Sequence, residues 1–345
     1  MHNLKFVRPQ KLAENIIFVD GLSGSGKTLI APILSTLKHA ELWKFNYVIE
    51  YLCALDGSRE MSQDSAKTLA QLLADLDVYN LMIAREINLR PTDASGAMMN
   101  LLEKHYVKRL KIKDGDYIVK KIQAEDPFLI VMLHYQFIQS RLLFETFKER
   151  LSLYVISVRH PLWLIENWYR GAWHRGIQRR YGGRWGERFG RDPREFTLCC
   201  EIDGNIVPWF AADWHEEYIQ LRPLDQAIHT VYRLSEKIEK RYTEMSDQDR
   251  EKVLFIPFEP FVAEPEPFVH QLTRILKTQK TPLTQKMMKK IQVPRRPISV
   301  EEIQSQMEKI QKWLDKENAL SESREMVDQM CSGYEQRYLE TTLSV

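Results

Sequence analysis

The chain has 345 residues, 44% of them hydrophobic and 28% charged, which is enough for one large domain or for one domain with a helical appendage. A formal net charge of +2 gives no global reason to expect a nucleic-acid or membrane-surface partner, so any basic site must be local. The cysteines form no C-x-x-C pair, and no apolar run is long enough for a signal peptide or a membrane span, so the sequence predicts a cytoplasmic protein.

Short apolar runs alternate with helical patterns through the first half of the chain, which predicts a parallel sheet wrapped by helices. Residues 45–55 fit either a second strand or a strand that runs into a helix. The clearest buried strands are 16–20, 127–135 and 151–161, and the clearest helices are 28–40 and 65–86.

The stretch 170–225 is rich in arginine and aromatic residues, and we interpret it as an insertion over one face of the sheet. Within it, residues 196–210 predict a hairpin that turns at 203–205. A helix over about 224–244 and a strand over 253–258 follow. The side chains that define this composition are Arg170, Arg175, Arg179, Arg180, Arg184, Arg188, Arg191 and Arg194, together with Trp168, Tyr169, Trp173, Tyr181 and Trp185.

After residue 297 the chain becomes polar and helical, and Ser299 and Glu302 have the spacing of a capping box. This change in composition predicts a domain over 1–297 and a C-terminal helical extension over 298–345. The extension shows little sign of carrying chemistry.

Residues 16–31 place a G-x-x-x-x-G-K-[ST] loop between an apolar strand and an amphipathic helix. Its glycines let the backbone curl so that successive N–H groups point at one anion, with the positive end of the helix behind them. Lys27 adds a mobile charge, and Thr28 fits either a magnesium ligand or a helix cap. The predicted phosphate-binding residues are Gly21, Ser23, Gly24, Ser25, Gly26, Lys27 and Thr28.

The loop indicates a class of ligand but leaves the reaction open. A P-loop kinase normally holds magnesium with an acid at the end of a strand. The strand 127–135 runs into His134 instead, although Asp20 and Glu50 remain candidate acids. An ATP- and Mg²⁺-dependent kinase of a small molecule is therefore an alternative that stays open.

Residues 154–170 place Arg159 at the carboxyl end of a strand and Asn167 about two turns into the next helix, where both can contact one anion. This segment resembles the 3′-phosphate-binding segment of sulfotransferases that use 3′-phosphoadenosine 5′-phosphosulfate (PAPS). In that family an Arg and a Ser eight positions later bind the 3′-phosphate, and Asn167 stands at the Ser position here. The resemblance implies that Arg159 and Asn167 bind PAPS.

Two more segments are similar to the sulfotransferase family, in the right order. Residues 253–276 resemble its late strand and helix, a structural block, with Glu259 and the pair Glu264-Pro265 as matching positions. His134 ends a strand at the place where cytosolic sulfotransferases carry their catalytic histidine. The resemblance covers about residues 12–276 and implies a three-layer α/β P-loop fold with a mainly parallel sheet.

The phosphate loop departs from the sulfotransferase pattern. That family usually places its lysine two residues before the last glycine, where this chain has Gly24, and Lys27 follows Gly26 as in ATP-using loops. The sequence of the loop resembles the phosphate loop of adenylyl-sulfate kinase. The late Arg-Lys-Gly motif of the sulfotransferases is missing as well, and a basic pair, Arg295-Arg296, lies near its place.

The resemblance to sulfotransferases implies a mechanism that requires no metal. Lys27 and the loop N–H groups would stabilise negative charge on the leaving 5′-phosphate oxygen, by the electrostatics used in phosphoryl transfer. His134 would take the proton of the acceptor hydroxyl, since an imidazole suits general-base work near neutral pH. Glu50 is a second candidate base.

The insertion rich in arginine and tryptophan is expected to face the acceptor, since aromatic planes stack on sugars and guanidinium groups pair with anions. The leading prediction is a sulfotransferase that moves a sulfuryl group from PAPS to a hydroxyl of a carbohydrate or of another small or anionic molecule. The alternatives are the kinase and a nucleotide-binding regulatory protein without turnover. No nucleic-acid or membrane partner is predicted.

Overall fold

The computed structural model describes residues 4–113, 115–172, 174 and 197–339. Its strands are β1 (Asn15–Asp20), β2 (Lys44–Phe45), β3 (Phe128–Met132), β4 (Leu151–Val158), β5 (Cys199–Ile202), β6 (Asn205–Pro208) and β7 (Val253–Pro257). Five of them form a parallel sheet in the order β2-β3-β1-β4-β7. The other two, β5 and β6, pair as an antiparallel hairpin.

Helices flank this sheet along the described chain. They are α1 (Lys27–Leu34), α2 (Tyr47–Gly57), α3 (Gln63–Met82), α4 (Glu103–Arg109), α5 (Asp116–Glu125), α6 (Arg141–Phe147), α7 (Pro161–Gly171), α8 (His215–Gln220), α9 (Pro223–Thr243), α10 (Asp247–Arg250), α11 (Phe258–Ala263), α12 (Pro265–Ile275), α13 (Pro282–Lys290), α14 (Val300–Lys316) and α15 (Ser321–Tyr338). Short 3₁₀ turns cover Gln136–Gln139, Lys148–Arg150 and Trp209–Trp214.

The central strands are apolar on both faces because helices cover the sheet on both sides. All five residues of β3 are buried, and so is β1 after its first residue. In register, Ile17 of β1 lies opposite Ile130 of β3 and Leu153 of β4. The predicted α/β class with a mainly parallel sheet is therefore confirmed.

The region 45–55 is a short strand that runs into a helix, which is the second of the two predicted alternatives. Only Lys44 and Phe45 pair with β3, and Asn46 then caps α2, its side chain accepting a hydrogen bond from Ile49 N at 3.1 Å. Glu50 accordingly lies in the first turn of a helix and not at the end of a strand.

The predicted hairpin is present as β5 and β6, with its turn at Asp203 and Gly204. Trp168, Tyr169 and Arg170 belong to α7 and precede the insertion. The other arginines of the Arg- and Trp-rich stretch, with Trp173, Tyr181 and Trp185, lie outside the described residues.

The C-terminal helical extension is present as α14 and α15. The capping box at Ser299 and Glu302 opens α14, with Ser299 Oγ accepting from Glu302 N at 3.3 Å. Apolar residues of both helices, such as Leu314 and Val327, are buried in the same core as the sheet. Across the described ranges, no helix combines the length and the apolarity that a bilayer span requires.

Candidate active site

The phosphate loop connects β1 to α1, as the motif predicts. Gly21, Gly24 and Gly26 have φ angles of 137°, 87° and 106°, a region that favours glycine because it has no Cβ. Gly26 is the N-cap of α1 and provides no side-chain cap. Thr28, exposed inside the helix, is therefore not the cap that one sequence alternative assigned to it.

Neighbouring elements hold the loop by its carbonyl oxygens. Three side chains from β4, the residue that follows it and α7 donate to successive carbonyls: Trp168 Nε1 to Ser23 O (2.9 Å), Arg159 Nη1 to Gly24 O (2.8 Å) and Ser157 Oγ to Ser25 O (2.8 Å). These three bonds fix the carbonyls of the loop to the surrounding protein.

The donors of the loop are left without partners. Within the described ranges, the N–H groups of Gly24, Gly26, Lys27 and Thr28 donate no hydrogen bond. The hydroxyl oxygens of Ser23 and Ser25 are buried and also lack a partner among the described residues. Buried polar groups are nearly always satisfied in folded proteins, and an anion at the start of a helix would satisfy all of these donors at once.

Lys27 lies beneath this loop as a buried cation. Its Nζ donates to Gly21 O. Burial lowers the pKa of its amine to about 8, while the charges of Asp20 and Glu50 act in the opposite direction. The amine is therefore still mostly protonated at neutral pH, and it adds a positive charge to the cradle.

Arg159 and Asn167 meet at the same point of the loop. Arg159 donates to Gly24 O, and a Cβ at Gly24 would lie 2.9 Å from Asn167 Nδ2. Burial lowers the pKa of Arg159; Glu259 opposes this effect, and the positive charge of Arg295 adds to it. The convergence of Arg159 and Asn167 on one place, expected from their spacing, is thus observed, while their binding of an anion stays a prediction.

The ring of Phe258 packs against the guanidinium of Arg159 and against the loop at Gly26. The guanidinium carbon lies 4.5 Å from the centre of the Phe258 ring, close enough for a cation–π contact. A Cβ at Gly26 would lie 2.3 Å from Phe258 Cδ2, so the ring needs a glycine at that position.

Asp20, a candidate magnesium ligand in the sequence, has a structural role. Its carboxylate is buried and accepts three hydrogen bonds, from Gly21 N (2.6 Å), Phe137 N (2.7 Å) and Tyr154 Oη (2.7 Å). These bonds link the end of β1 to the phosphate loop, to the 3₁₀ turn after β3 and to the middle of β4, and they engage both carboxylate oxygens.

His134 follows β3 and pairs with Glu50, its Nδ1 lying 2.9 Å from Glu50 Oε1. A carboxylate only accepts hydrogen bonds, so this pair places the proton on Nδ1 and leaves Nε2 as the basic nitrogen. Glu50 also acts on the charge of Lys27. Lys27 and His134, the two predicted catalytic residues, thus both interact with Glu50, while their catalytic roles stay predictions.

Aromatic rings surround His134. Phe45 and Tyr47 lie nearly parallel to the imidazole, with ring centres 5.4 and 6.2 Å away. Tyr135 stacks on Trp209, just after the hairpin, at 6.1 Å, and its N–H donates to Gly21 O at 3.2 Å. A flat, partly buried aromatic surface thus lies beside the candidate base and touches the phosphate loop.

Sequence reasoning missed two residues that hold the loop. Trp168 was counted with the acceptor insertion, whereas it is fully buried and bonds Ser23 O. Ser157 had no signal beyond its place two residues before Arg159. Both depend on contacts more than 130 residues apart in sequence, which no local pattern encodes.

Two solved structures of other proteins are similar to this chain. A sulfotransferase domain from the curacin biosynthetic pathway is 16% identical, covers 79% of this chain and 77% of its own chain, and has a TM-score of 0.38. The sulfotransferase STF9 from Mycobacterium avium is 11% identical, covers 88% and 77%, and has a TM-score of 0.37.

Both neighbours are sulfotransferases, the family that the sequence resemblance predicted. No protein-family model matches the chain, and no curated protein matches it. The resemblance of the loop to adenylyl-sulfate kinase stays a prediction.

Proposed function

We propose that this chain is a sulfotransferase that moves a sulfuryl group from PAPS to an acceptor hydroxyl. The observation that supports the proposal best is the arrangement of side chains around Gly24. There, a loop with unpartnered N–H groups is joined directly to Arg159, while Asn167 packs on the same glycine. A donor with phosphate groups at both its 5′ and 3′ positions matches two adjacent anion-binding elements better than a nucleotide with a single phosphate chain.

The unpartnered donors of the loop and the amine of Lys27 would hold the 5′-phosphosulfate of PAPS. Arg159 and Asn167 would hold its 3′-phosphate, and the charge of the nearby Arg295 favours an anion there as well. When bound, PAPS supplies an activated sulfuryl group whose leaving oxygen belongs to a phosphate.

Transfer forms a bond between sulfur and the acceptor oxygen and breaks the bond between sulfur and the 5′-phosphate oxygen. The developing charge on that phosphate oxygen is stabilised by the Lys27 amine and by the loop N–H groups, which are already oriented before the reaction. The acceptor proton goes to Nε2 of His134, and Glu50 stabilises the resulting imidazolium through Nδ1.

The acceptor would lie on the aromatic side of His134. Parallel rings such as Phe45 and Tyr47 offer flat faces on which a sugar ring or another planar group stacks. This surface favours a hydroxylated acceptor such as a carbohydrate.

An ATP- and Mg²⁺-dependent kinase is the second candidate, favoured by the position of Lys27 directly after Gly26. A kinase needs an acid near the loop to hold the metal. Asp20 already accepts three hydrogen bonds, and Glu50 is paired with His134, so both candidate acids are engaged elsewhere.

The first experiment is calorimetric titration of the full chain with 3′,5′-bisphosphoadenosine in EDTA and, separately, with ATP and Mg²⁺. We expect the bisphosphate to bind without metal. Arg159→Ala is expected to weaken this binding about tenfold or more, since it removes a charge-assisted contact to the 3′-phosphate.

Arg170→Ala is the matched control, because Arg170 lies on α7 but pairs with Glu166 at the surface. It is expected to bind the bisphosphate like the unmodified chain. Binding of ATP with Mg²⁺ alone, or an unchanged affinity in Arg159→Ala, would contradict the proposed donor.

A further inference from the structure

The last helix of the chain reaches the element that carries Arg159. Tyr334 on α15 donates its phenol hydrogen to Oε2 of Glu259, which is only 6% exposed. The same carboxylate accepts from His160 N at 3.3 Å and lies 3.9 Å from Arg159 Nε. A buried network thus runs from the C-terminal extension through Glu259 to the proposed 3′-phosphate site.

The guanidinium of Arg159 is held in place by few contacts. Nη1 donates to Gly24 O, and the plane lies over Phe258. The buried Nε has no hydrogen-bond partner among the described residues, and 3.9 Å is too long for one. Glu259 therefore acts on Arg159 by charge and not by a direct hydrogen bond, and the effect depends on where that charge lies.

Tyr334 determines both the position and the charge of Glu259. Its hydroxyl binds Oε2, while Oε1 is the oxygen nearer to Arg159. Burial raises the pKa of Glu259, and the bond from Tyr334 counteracts that rise. Without this hydroxyl, the bonds from His160 N would remain, but Oε2 would be held less firmly and the carboxylate would be easier to neutralise.

A second contact joins α15 to the start of α7, the helix that carries Asn167. His160 caps α7, its Nε2 lies 3.1 Å from Glu335 Oε1, and its ring packs on that of Tyr334 at 5.3 Å. Two consecutive residues of the last helix, Tyr334 and Glu335, therefore contact the network at Glu259 and at His160.

We propose that Tyr334 is a positioning residue for Arg159, so that the C-terminal extension tunes the affinity of the donor site for a 3′-phosphate. This inference rests on the proposed function. It would give the last helix of the extension, in which the sequence shows little sign of chemistry, a supporting role at the donor site.

The test compares two ligands that differ only in the 3′-phosphate, 3′,5′-bisphosphoadenosine and adenosine 5′-phosphate. Both are titrated calorimetrically into the full chain and into Tyr334→Phe, which keeps the ring and removes only the hydroxyl. We expect Tyr334→Phe to bind the bisphosphate about five- to tenfold more weakly, because Arg159 would then be less well ordered before binding, with an unchanged affinity for adenosine 5′-phosphate.

Tyr232→Phe is the matched control. Its hydroxyl bonds Glu236 and Gln329, which take no part in the network, so both affinities are expected to stay unchanged. If Tyr334→Phe fails to fold, as judged by its thermal unfolding, Glu259→Gln takes its place. Because it removes the charge that acts on Arg159, it is expected to change the affinity for the bisphosphate and to leave that for adenosine 5′-phosphate unchanged.

An equal weakening for both ligands would show that Tyr334 only maintains the structure, and an unchanged bisphosphate affinity would show that it does not act on Arg159. Either result overturns the inference. If the unmodified chain itself does not prefer the bisphosphate to adenosine 5′-phosphate, the proposed function is contradicted, and the inference, which rests on it, is contradicted as well. The two failures are therefore distinguishable.

Discussion

Lys27 illustrates how a buried side chain is prepared for an anion. Its amine donates to a backbone carbonyl, and the charges of two carboxylates raise its pKa. The effect of burial is larger and lowers that pKa to about 8. The cation is thus poorly compensated in the free protein. An anionic ligand bound in the loop would supply negative charge next to the amine and favour its protonated form. Ligand binding is therefore coupled to protonation of Lys27.

This coupling gives a pH prediction. Below the pKa of about 8 the amine is protonated and binds the anion, and above it the amine is neutral in the free protein. The Kd of 3′,5′-bisphosphoadenosine is therefore expected to rise above pH 8, by at most about tenfold per pH unit for one proton. Calorimetry from pH 7 to 9.5, where the phosphate groups of the ligand are already ionised, measures this dependence.

Lys27→Arg is the control for this pH series, because a guanidinium stays protonated throughout. Its affinity is expected to be nearly independent of pH over that range. A constant Kd for the unmodified chain between pH 7 and 9.5 would contradict the coupling between anion binding and protonation of Lys27.

The pair of His134 and Glu50 predicts a hierarchy of kinetic effects. His134→Ala is expected to lower kcat by about 10²–10⁴-fold, since it removes the general base. Glu50→Gln keeps a hydrogen-bonding partner for Nδ1 but removes the charge, so a smaller loss of kcat, of about tenfold, is expected. Release of 3′,5′-bisphosphoadenosine, measured with the best acceptor from a panel of sugars and phenols, gives these rates. An undiminished rate in His134→Ala would remove it from the mechanism.

At the scale of elements, α7 and β4 are the frame of the phosphate loop. They provide Ser157 and Trp168, and the connection between them provides Arg159, for three successive carbonyls, while Asn167 and Phe258 pack on two of the glycines. The spacing of Arg159 and Asn167 predicted their meeting, because a strand end and the second turn of the following helix lie on one side of a βα unit.

A substitution at Gly26 tests whether these contacts determine the shape of the phosphate loop. Gly26→Ala requires a side chain at a φ of 106° and places its Cβ 2.3 Å from Phe258. Strain of about 1–3 kcal/mol is expected, and because the loop must move to relieve it, affinity for 3′,5′-bisphosphoadenosine is expected to fall about tenfold or more. Calorimetric titration and the thermal unfolding midpoint measure the two effects.

Gly333→Ala is the matched control. Gly333 lies within α15, and a Cβ there meets no atom within 4 Å, so this variant is expected to keep its affinity and to be slightly more stable. The double variant Gly26→Ala/Phe258→Ala is expected to recover part of the stability, because it relieves the contact but not the strained φ. Normal affinity in Gly26→Ala would contradict the assignment of this loop as the anion site.

At the scale of the whole molecule, one hydrophobic core joins the sheet to the C-terminal helices, with Ile310 and Val327 in the same cluster as Ile17. The sequence boundary between 1–297 and 298–345 was drawn from composition, and as a domain boundary it stays a prediction. Composition separates a polar surface from an apolar one, but it does not show which surfaces pack together.

The sequence by itself determined the parallel sheet, the phosphate loop and the juxtaposition of Arg159 with that loop. These features depend on local patterns: apolar runs, glycine spacing and the geometry of consecutive elements. Only the tertiary structure decided that Asp20 is bound by Phe137 and Tyr154, that His134 is oriented by Glu50, and that Tyr334 reaches Glu259. Each of these side chains has a partner 75 or more residues away, and the role of a titratable group follows from the partner that folding brings to it.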